Sequence, residues 1–181
     1  MAFEEAVTSR TWALGPARDA DWDALYAEQL PRVYNYLRFR VGNDAVAEDL
    51  AALTFERAWR ARARYRRDLA GFGTWLLAIA RNAAIDHLRA RRALAPLEAA
   101  DHVAGGSDPG ELAERRSDLR RLAGLLDRLG ERERELVALK YGAGWTNRAI
   151  AKAVHLSESN VGTILHRTIR VLRAGWNEGG A

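Results

Sequence analysis

From residue 21 onward, large apolar side chains recur every three or four positions. Trp22, Leu25, Tyr26, Leu30, Tyr34, Leu37 and Val41 form the first such series, the spacing of one helical face turned inward. Pro31 falls inside it and predicts either a kink or the start of a second helix. Gly42-Asn43 closes it. A helix is expected over residues 44–62, then a basic irregular loop over 64–73, then a helix over 74–92 with Thr74 as N-cap. Residues 93–110 (ALAPLEAADHVAGGSDPG) carry Pro, Gly-Gly-Ser and Asp-Pro-Gly, the composition of a linker. Helical spacing resumes over 111–129, 131–141, 146–154 and 157–176. Runs of β-branched residues are absent, and Ala, Leu, Arg and Glu dominate, which favours helix. The expected fold is all-α. It has a flexible arm (1–18), a small helical domain (19–92), an acidic flexible linker (93–113) and a second small helical domain (114–177), with no internal repeat.

The second domain ends in a helix-turn-helix pattern. In WTNRAIAKAVHLSESNVGTILHRTIRVL, Thr146 caps a short helix that turns Ile150, Ala151 and Val154 inward. A tight turn falls near His155, and Ser157 caps the helix that follows. On a wheel of that last helix, Val161, Leu165, Thr168, Leu172 and Trp176 share one side. Ser159, Asn160, Gly162, Thr163, His166, Arg167 and Arg170 share the other. The second side is short and polar first, then basic. A recognition helix needs that order: short donors and acceptors reach base edges, and arginines take phosphates. Gly162 permits close approach of the backbone. An ordinary amphipathic surface helix would share the periodicity, but not the preceding short helix and turn.

The first domain holds two further candidate surfaces. Over 44–62, Ala52, Phe55 and Trp59 lie on one face. Val46, Leu50 and Leu53 lie nearly opposite, flanked by Asp49, Glu56 and Arg60. Two apolar faces imply either complete burial or one face offered to a partner, and the acid-rimmed Leu50/Leu53 face is the candidate protein interface. Over 74–92, Arg81, Asn82, Arg89 and Arg92 share a face with Ala78 and Ile85. That face suits a nucleic-acid backbone, with Asn82 placed for a base edge. In the loop before it, Tyr65, Arg66, Arg67 and Phe72 could receive an unstacked base, worth ~1–3 kcal/mol in stacking. Trp75, beside Leu76 and Ile79, is expected in the core.

Charge sharpens this picture. The 181-residue chain has a formal net charge of only +4, but the charge is blocked along it. Residues 54–92 carry a net +7 and residues 114–181 a net +5, whereas residues 1–53 and 93–113 each carry a net −4. Two basic blocks around an acidic spacer suggest two polyanion-binding surfaces; solvated helix faces are the plainer alternative. The absence of cysteine excludes a disulfide framework, a thiolate zinc site and a cysteine nucleophile, and fits a reducing cytosol. The acidic N-terminus is not that of a signal peptide. The apolar stretch 75–80 is too short to span a bilayer, so no membrane insertion is expected. Four scattered histidines lack metal-ligand spacing, and no phosphate loop or nucleophile elbow is present. No metal, cofactor or catalytic role is expected, and Asp86-His87 reads as a surface polar pair.

AEDLAALTFERAW (47–59), GFGTWLLAIARNAAIDHLRARR (71–92) and LGERERELVALKYGAGWTNRAIAKAVHLSESNVGTILHRTIRVL (129–172) together resemble an extracytoplasmic-function sigma factor, a minimal bacterial promoter-specificity subunit. The resemblance spans residues 20–176 and presents two motif sets in the family's order. It implies a cytoplasmic, non-enzymatic transcription factor whose partners are core RNA polymerase, promoter DNA and an anti-sigma protein. It assigns Asp49, Leu50, Leu53 and Thr54, expected at or beside the exposed face, to the polymerase clamp. The loop and helix through Arg92 (Tyr65, Arg66, Phe72, Arg81, Asn82, Arg89 and Arg92) fall to the minus-ten element. The helix-turn-helix (Ser159, Asn160, Gly162, Thr163, His166, Arg167 and Arg170) falls to the minus-thirty-five element. The linker would run near the RNA exit path.

The chain departs from the family pattern at four places. Ala52-Leu53 replaces the usual Gln-Glu and exchanges polar contacts for apolar ones. Ala149 replaces a Glu and removes a capping box from Thr146. His155 stands at the usual turn glycine, where histidine tolerates positive φ better than most residues. Ile164 replaces a common arginine at the edge of the apolar side, which removes a phosphate contact. A divergent subgroup with its own promoter is expected. The competing readings are a helix-turn-helix transcriptional regulator with an N-terminal interaction domain, and an adaptor that has kept the fold and lost DNA binding.

Overall fold

The computed structural model describes residues 22–94 and 111–178, the side chains of 94 and 111–116 excepted. The expected arm and most of the expected linker lie outside the described residues. Every regular element among the described residues is helical. They are α1 (Trp22–Val41), α2 (Asp44–Ala61), a 3-10 turn (Arg62–Arg64), α3 (Phe72–Leu94), α4 (Glu111–Asp127), α5 (Glu131–Val137), a π-helical turn (Ala138–Gly142), α6 (Asn147–Val154) and α7 (Glu158–Glu178).

Pro31 neither ends nor restarts α1, which runs through it. Proline cannot bond the carbonyl four residues back, but Ala27 and Pro31 both face solvent, which leaves that carbonyl open to water. Gly42, at φ 71°, stops the helix in the left-handed region. Asn43 then caps α2, its Oδ1 accepting from the Val46 amide at 2.9 Å. The third helix begins at Phe72, so Thr74 lies inside its first turn and is not the N-cap.

In the first half, α1, α2 and α3 pack on one another. The second half encloses the helix-turn-helix, with α6 and α7 packed together and α7 also against α4 and α5. The halves are not merely tethered. α1 lies along α5 and the π-helical turn, and one core runs through both, from Val33, Tyr36 and Leu37 to Leu136, Leu139, Ile150 and Val161. The turn is widened: the Ala143 amide reaches the Ala138 carbonyl at 3.0 Å, and Trp145 reaches Leu139 at 3.0 Å. It carries Gly142 onto the backbone of α1, where a Cβ would meet Tyr36 Cα at 2.8 Å and the Asn35 carbonyl oxygen at 2.9 Å. Only glycine allows two backbones to approach this closely.

Candidate nucleic-acid and protein interfaces

On α2 a single stripe is buried: Ala47, Leu50, Ala51, Thr54, Phe55 and Ala58. This corrects the expectation of an exposed Leu50/Leu53 face. Leu50 is 7% exposed and Thr54 is fully buried, and the Thr54 hydroxyl donates to the Leu50 carbonyl at 2.6 Å. The large side chains alone suggested two faces. Half of the buried stripe is alanine, which lets α1 and α3 come close. Leu53 is half-buried, and Asp49 stands exposed beside Glu48, Ala52 and Glu56. The outward surface of α2 is therefore acidic, with Leu53 and Ala52 as its small apolar centre.

The loop side chains pack on one another. Tyr65 and Phe72 meet edge to face at 5.7 Å, Tyr65 and Trp75 lie 5.0 Å apart, and Trp22 closes on Phe72 at 5.5 Å. The Tyr65 hydroxyl donates to the Ala70 carbonyl at 3.1 Å. Trp75 is half-buried in this cluster, packed against the core as expected. Arg66 grips Asp68 with two nitrogens, at 2.9 and 2.7 Å. That hydrogen bond holds the Asp68 carboxyl below its ordinary value and raises the Arg66 guanidinium above its own. At the far end of the cluster, Trp59 is exposed, with the Arg62 guanidinium 4.0 Å from its ring centre. Asp86 pairs with Arg57 at 3.6 Å, which makes it a surface partner rather than half of a polar pair with His87.

Farther along α3, Arg81, Ile85, Arg89 and Arg92 line one cleft, as their shared face predicted. The opposite wall comes from the second half of the molecule: Glu131, Arg132, Glu135, Leu136, Val154 and Leu156. Asn82 is exposed and does not line the cleft. Arg81 donates to Glu135 at 2.8 Å, and Arg92 to Glu131 at 2.8 Å. Glu135 also accepts from Arg40 at 2.6 Å and from the Tyr36 hydroxyl at 3.2 Å. Arg40 reaches Glu131 as well, at 3.0 Å.

The worth of these contacts differs with burial. The side chains of Arg40 and Glu135 are 5% and 9% exposed, so removing either charge leaves a buried partner leaning on its remaining contacts, at a cost of up to ~3–5 kcal/mol. Arg92 and Glu131 are 65% and 50% exposed, and such pairs contribute ~0–1 kcal/mol. Burial, and next the Glu135 charge, push the Tyr36 hydroxyl well above the ordinary tyrosine value. The hydrogen bond from Arg92 leads the causes that hold Glu131 below the ordinary carboxylate value. Arg134 bonds Asp127 at 2.6 Å and the Phe39 carbonyl at 2.9 Å, and its burial lowers its pKa. Sequence reasoning missed Tyr36, Arg40, Glu131, Arg134, Glu135 and Gly142 altogether. The available signal was Tyr36 and Arg40 one turn apart on an otherwise apolar face, opposite the dense ERERE run.

The helix-turn-helix follows its local chemistry closely. Thr146 Oγ1 accepts from the Ala149 amide at 3.2 Å, so the cap survives without a glutamate at 149. Ser157 Oγ accepts from the Asn160 amide at 3.2 Å. His155 occupies the turn at φ 55°, ψ 46°, the left-handed region the usual glycine would hold. Ile150, Val161, Leu165 and Thr168 are buried between the helices. Ser159, Asn160, Thr163, His166, Arg167 and Arg170 all face outward, with Gly162 half-buried. The Thr163 hydroxyl donates to the Ser159 carbonyl at 3.0 Å. Ile164 packs partly against the core and lines a shallow groove with Leu129, Glu133, Arg167, Thr168 and Val171. Farther on, Trp176 receives the Arg121 guanidinium over its ring at 4.5 Å.

Among the described residues no group of three or more His, Asp or Glu is placed to hold a metal ion, and no helix is long and apolar enough to cross a membrane.

Comparison with known proteins accords with these two halves. Residues 25–94 match sigma-70 region 2, and residues 119–172 match sigma-70 region 4. The chain is 36% identical over 160 residues to the RNA polymerase sigma factor CarQ of Myxococcus xanthus, covering 87% of this chain and 89% of that one. It is 32% identical over 162 residues to the ECF RNA polymerase sigma factor BldN of Streptomyces coelicolor, covering 86% of this chain but only 61% of BldN. Two solved structures share the fold. One is CnrH in complex with the cytosolic domain of CnrY (TM-score 0.67, 23% identity, 92% of this chain and 94% of that one). The other is the sigma factor RpoE of Bartonella quintana in complex with the anti-sigma factor NepR (TM-score 0.66, 19% identity, 87% and 97%). With both regions present in the family's order and such identity to CarQ along most of either chain, the protein belongs to the extracytoplasmic-function sigma factors of RNA polymerase.

Proposed function

We propose that this sigma factor directs core RNA polymerase to its own set of promoters and opens them, dividing the work among three surfaces. The acidic outer face of α2, with Asp49 and Leu53 exposed or half-exposed, docks on the polymerase; Leu50 and Thr54 shape that face from beneath. The basic face of α3 (Arg81, Arg89 and Arg92) follows the minus-ten backbone, while Asn82 bonds a base edge. Tyr65, Arg66 and Phe72 belong to the loop that receives an unstacked base. From the N-terminal half of α7, Ser159, Asn160, Gly162 and Thr163 meet base edges in the minus-thirty-five major groove. His166, Arg167 and Arg170 take the flanking phosphates. No catalytic step falls to the chain, and its work is done in the cytoplasm. A protein of the anti-sigma class is its inferred regulator, by analogy with the RpoE–NepR complex.

The observation that carries this reading is α7. Its polar face stands outward along its length, on a helix-turn-helix whose caps and turn are complete, in the order a recognition helix needs. Co-purification with core polymerase, followed by run-off transcription from a promoter selected by the protein, tests the reading. Promoter-dependent transcripts are expected. Tight binding to a duplex operator with no transcript in the presence of core polymerase would favour the regulator reading, and no promoter-dependent initiation at any salt would favour the adaptor.

A further inference from the structure

We propose that Asn147, at the start of α6, reads a base of the upstream element, reaching an adenine edge through a notch that Gly162 leaves in the recognition face of α7. The proposal rests on the reading of α7 as the minus-thirty-five recognition helix and adds to it a specificity-determining residue from a different helix.

The notch follows from one missing side chain. Gly162 lies on α7 between Ser159 and His166, three residues before it and four after, and both of these are exposed. A longer side chain at 162 would close the gap between them. With glycine there, the gap opens onto α6, where Asn147 Nδ2 lies 3.7 Å from the place a Cβ would take. Asn147 is half-buried, and its carboxamide forms the floor of the notch. The other end of that carboxamide, Oδ1, is buried and has no hydrogen-bond partner among the described residues. A buried acceptor without a donor is costly, and this one sits in a motif whose caps are otherwise complete. The terminal torsion of asparagine is broad and roughly two-fold. Half a turn about Cβ–Cγ therefore exchanges the two atoms and brings the acceptor to the notch.

The surroundings select the chemistry that meets it. Thr146 Oγ1 and Ser157 Oγ are committed to their caps, and the Thr163 hydroxyl proton goes to the Ser159 carbonyl. Arg148, next in the chain, reaches Glu158 across the same seam at 3.4 Å, so the seam carries both signs of charge and offers little to a phosphate. What remains is a neutral carboxamide with one donor edge and one acceptor edge. That pair matches the N7 acceptor and N6 donor of adenine in the major groove. Because Gly162 projects nothing outward, the groove edge can come down onto Asn147. The reading surface thus extends sideways from Ser159 and Asn160 on α7 to α6.

The test uses the full-length chain assembled with core polymerase. Run-off transcription is measured on a panel of promoters in which each upstream position carries each of the four bases. The unmodified protein should favour adenine about tenfold at one position, the discrimination that one bidentate pair supplies. Asn147→Ala should level the four bases at that position and leave the preferences elsewhere intact. Asn147→Asp should move the preference there to cytosine, whose N4 donates to a carboxylate. An acid at the first position of α6 suits the helix dipole, so this variant keeps its fold. Gly162→Gln, which covers the notch, should abolish the same preference with Asn147 still in place. An unchanged base profile in Asn147→Ala and Asn147→Asp overturns the proposal. So does a uniform loss across every sequence, which would mark a backbone contact or a purely structural role, and so does a preference that survives Gly162→Gln. The reading of α7 fails separately, by absence of any upstream base preference or of promoter-dependent transcripts with the unmodified protein, and takes this proposal with it.

Discussion

On α3, Arg81 and Arg92 end on carboxylates contributed by the other half of the chain. On α7, Arg167 and Arg170 project outward with no ion pair among the described residues. Both helices were legible as basic faces suited to DNA, and both are amphipathic in the same way. They differ in what lies opposite. The α7 face was shaped by neighbours in its own sequence, α6 and a turn three residues long, and those neighbours cover only its apolar side. The α3 face meets an element 54 positions away in the sequence. A basic surface is thus a property of one helix, whereas its availability belongs to the whole molecule.

The comparison breaks most visibly in the core between the halves. Arg40→Ala should leave the buried Glu135 with only Arg81 and Tyr36 and cost up to ~3–5 kcal/mol of packed-state stability. Urea unfolding should then start at lower denaturant and lose its single step as the halves melt apart. A retained single transition at the original midpoint would mean that the halves do not support each other. Ile150→Ala, fully buried under α7, should cost ~2–5 kcal/mol and abolish duplex binding by the helix-turn-helix. The α1–α2–α3 unit should stay folded, as read by near-ultraviolet signals of the Trp22, Trp59 and Trp75 cluster.

Surface variants separate the two DNA faces. Asn82→Ala should impair strand opening in permanganate footprints of the polymerase complex while leaving upstream duplex binding nearly intact. Arg167→Ala should do the reverse, weakening upstream binding and making its salt dependence shallower by about one unit of slope. If the two variants share one phenotype, the division between α3 and α7 is wrong.

Titration offers a gentler probe. Tyr36 is protonated in the packed state at a pH where a solvated tyrosine ionises, since its pKa lies well above 10.0. Its contribution to stability is therefore full below about pH 10 and falls as pH rises beyond that. Glu131 has the opposite sign: its pKa lies below 4.5, so its contribution is full above that value and is lost as pH falls through the packed-state pKa. The urea unfolding midpoint should thus fall at both extremes of pH and hold level near neutrality. The smallest expected effect is His155→Gly. It relieves a left-handed turn but adds freedom to the unfolded chain, for a net gain of about 0.5 kcal/mol in thermal or urea unfolding.

Some of this could be read early because it is local. Thr146 and Ser157 are caps by virtue of their own side chains and the amide three residues on, and His155 must turn left because the two helices leave no other path. The α2 surface was misread because Ala47, Ala51 and Ala58 contribute little to a count of large apolar residues, yet they form the face that α1 and α3 approach. Leu50 and Thr54 belong with them in the core. Gly142 carried no local signature, since a glycine at the end of a helix is commonly a cap, and only the α1 backbone across the interface explains it.

The chain's own order of residues determined its helices, their ends, the helix-turn-helix and two clusters of positive charge, because each depends on side chains within a few positions of one another. The tertiary structure alone decided which of those charges is free. Pairing Arg40 with Glu135 across 95 positions requires two helices to dock in one register, and that register is set by packed surfaces, a widened turn and one missing Cβ rather than by any spacing along the chain.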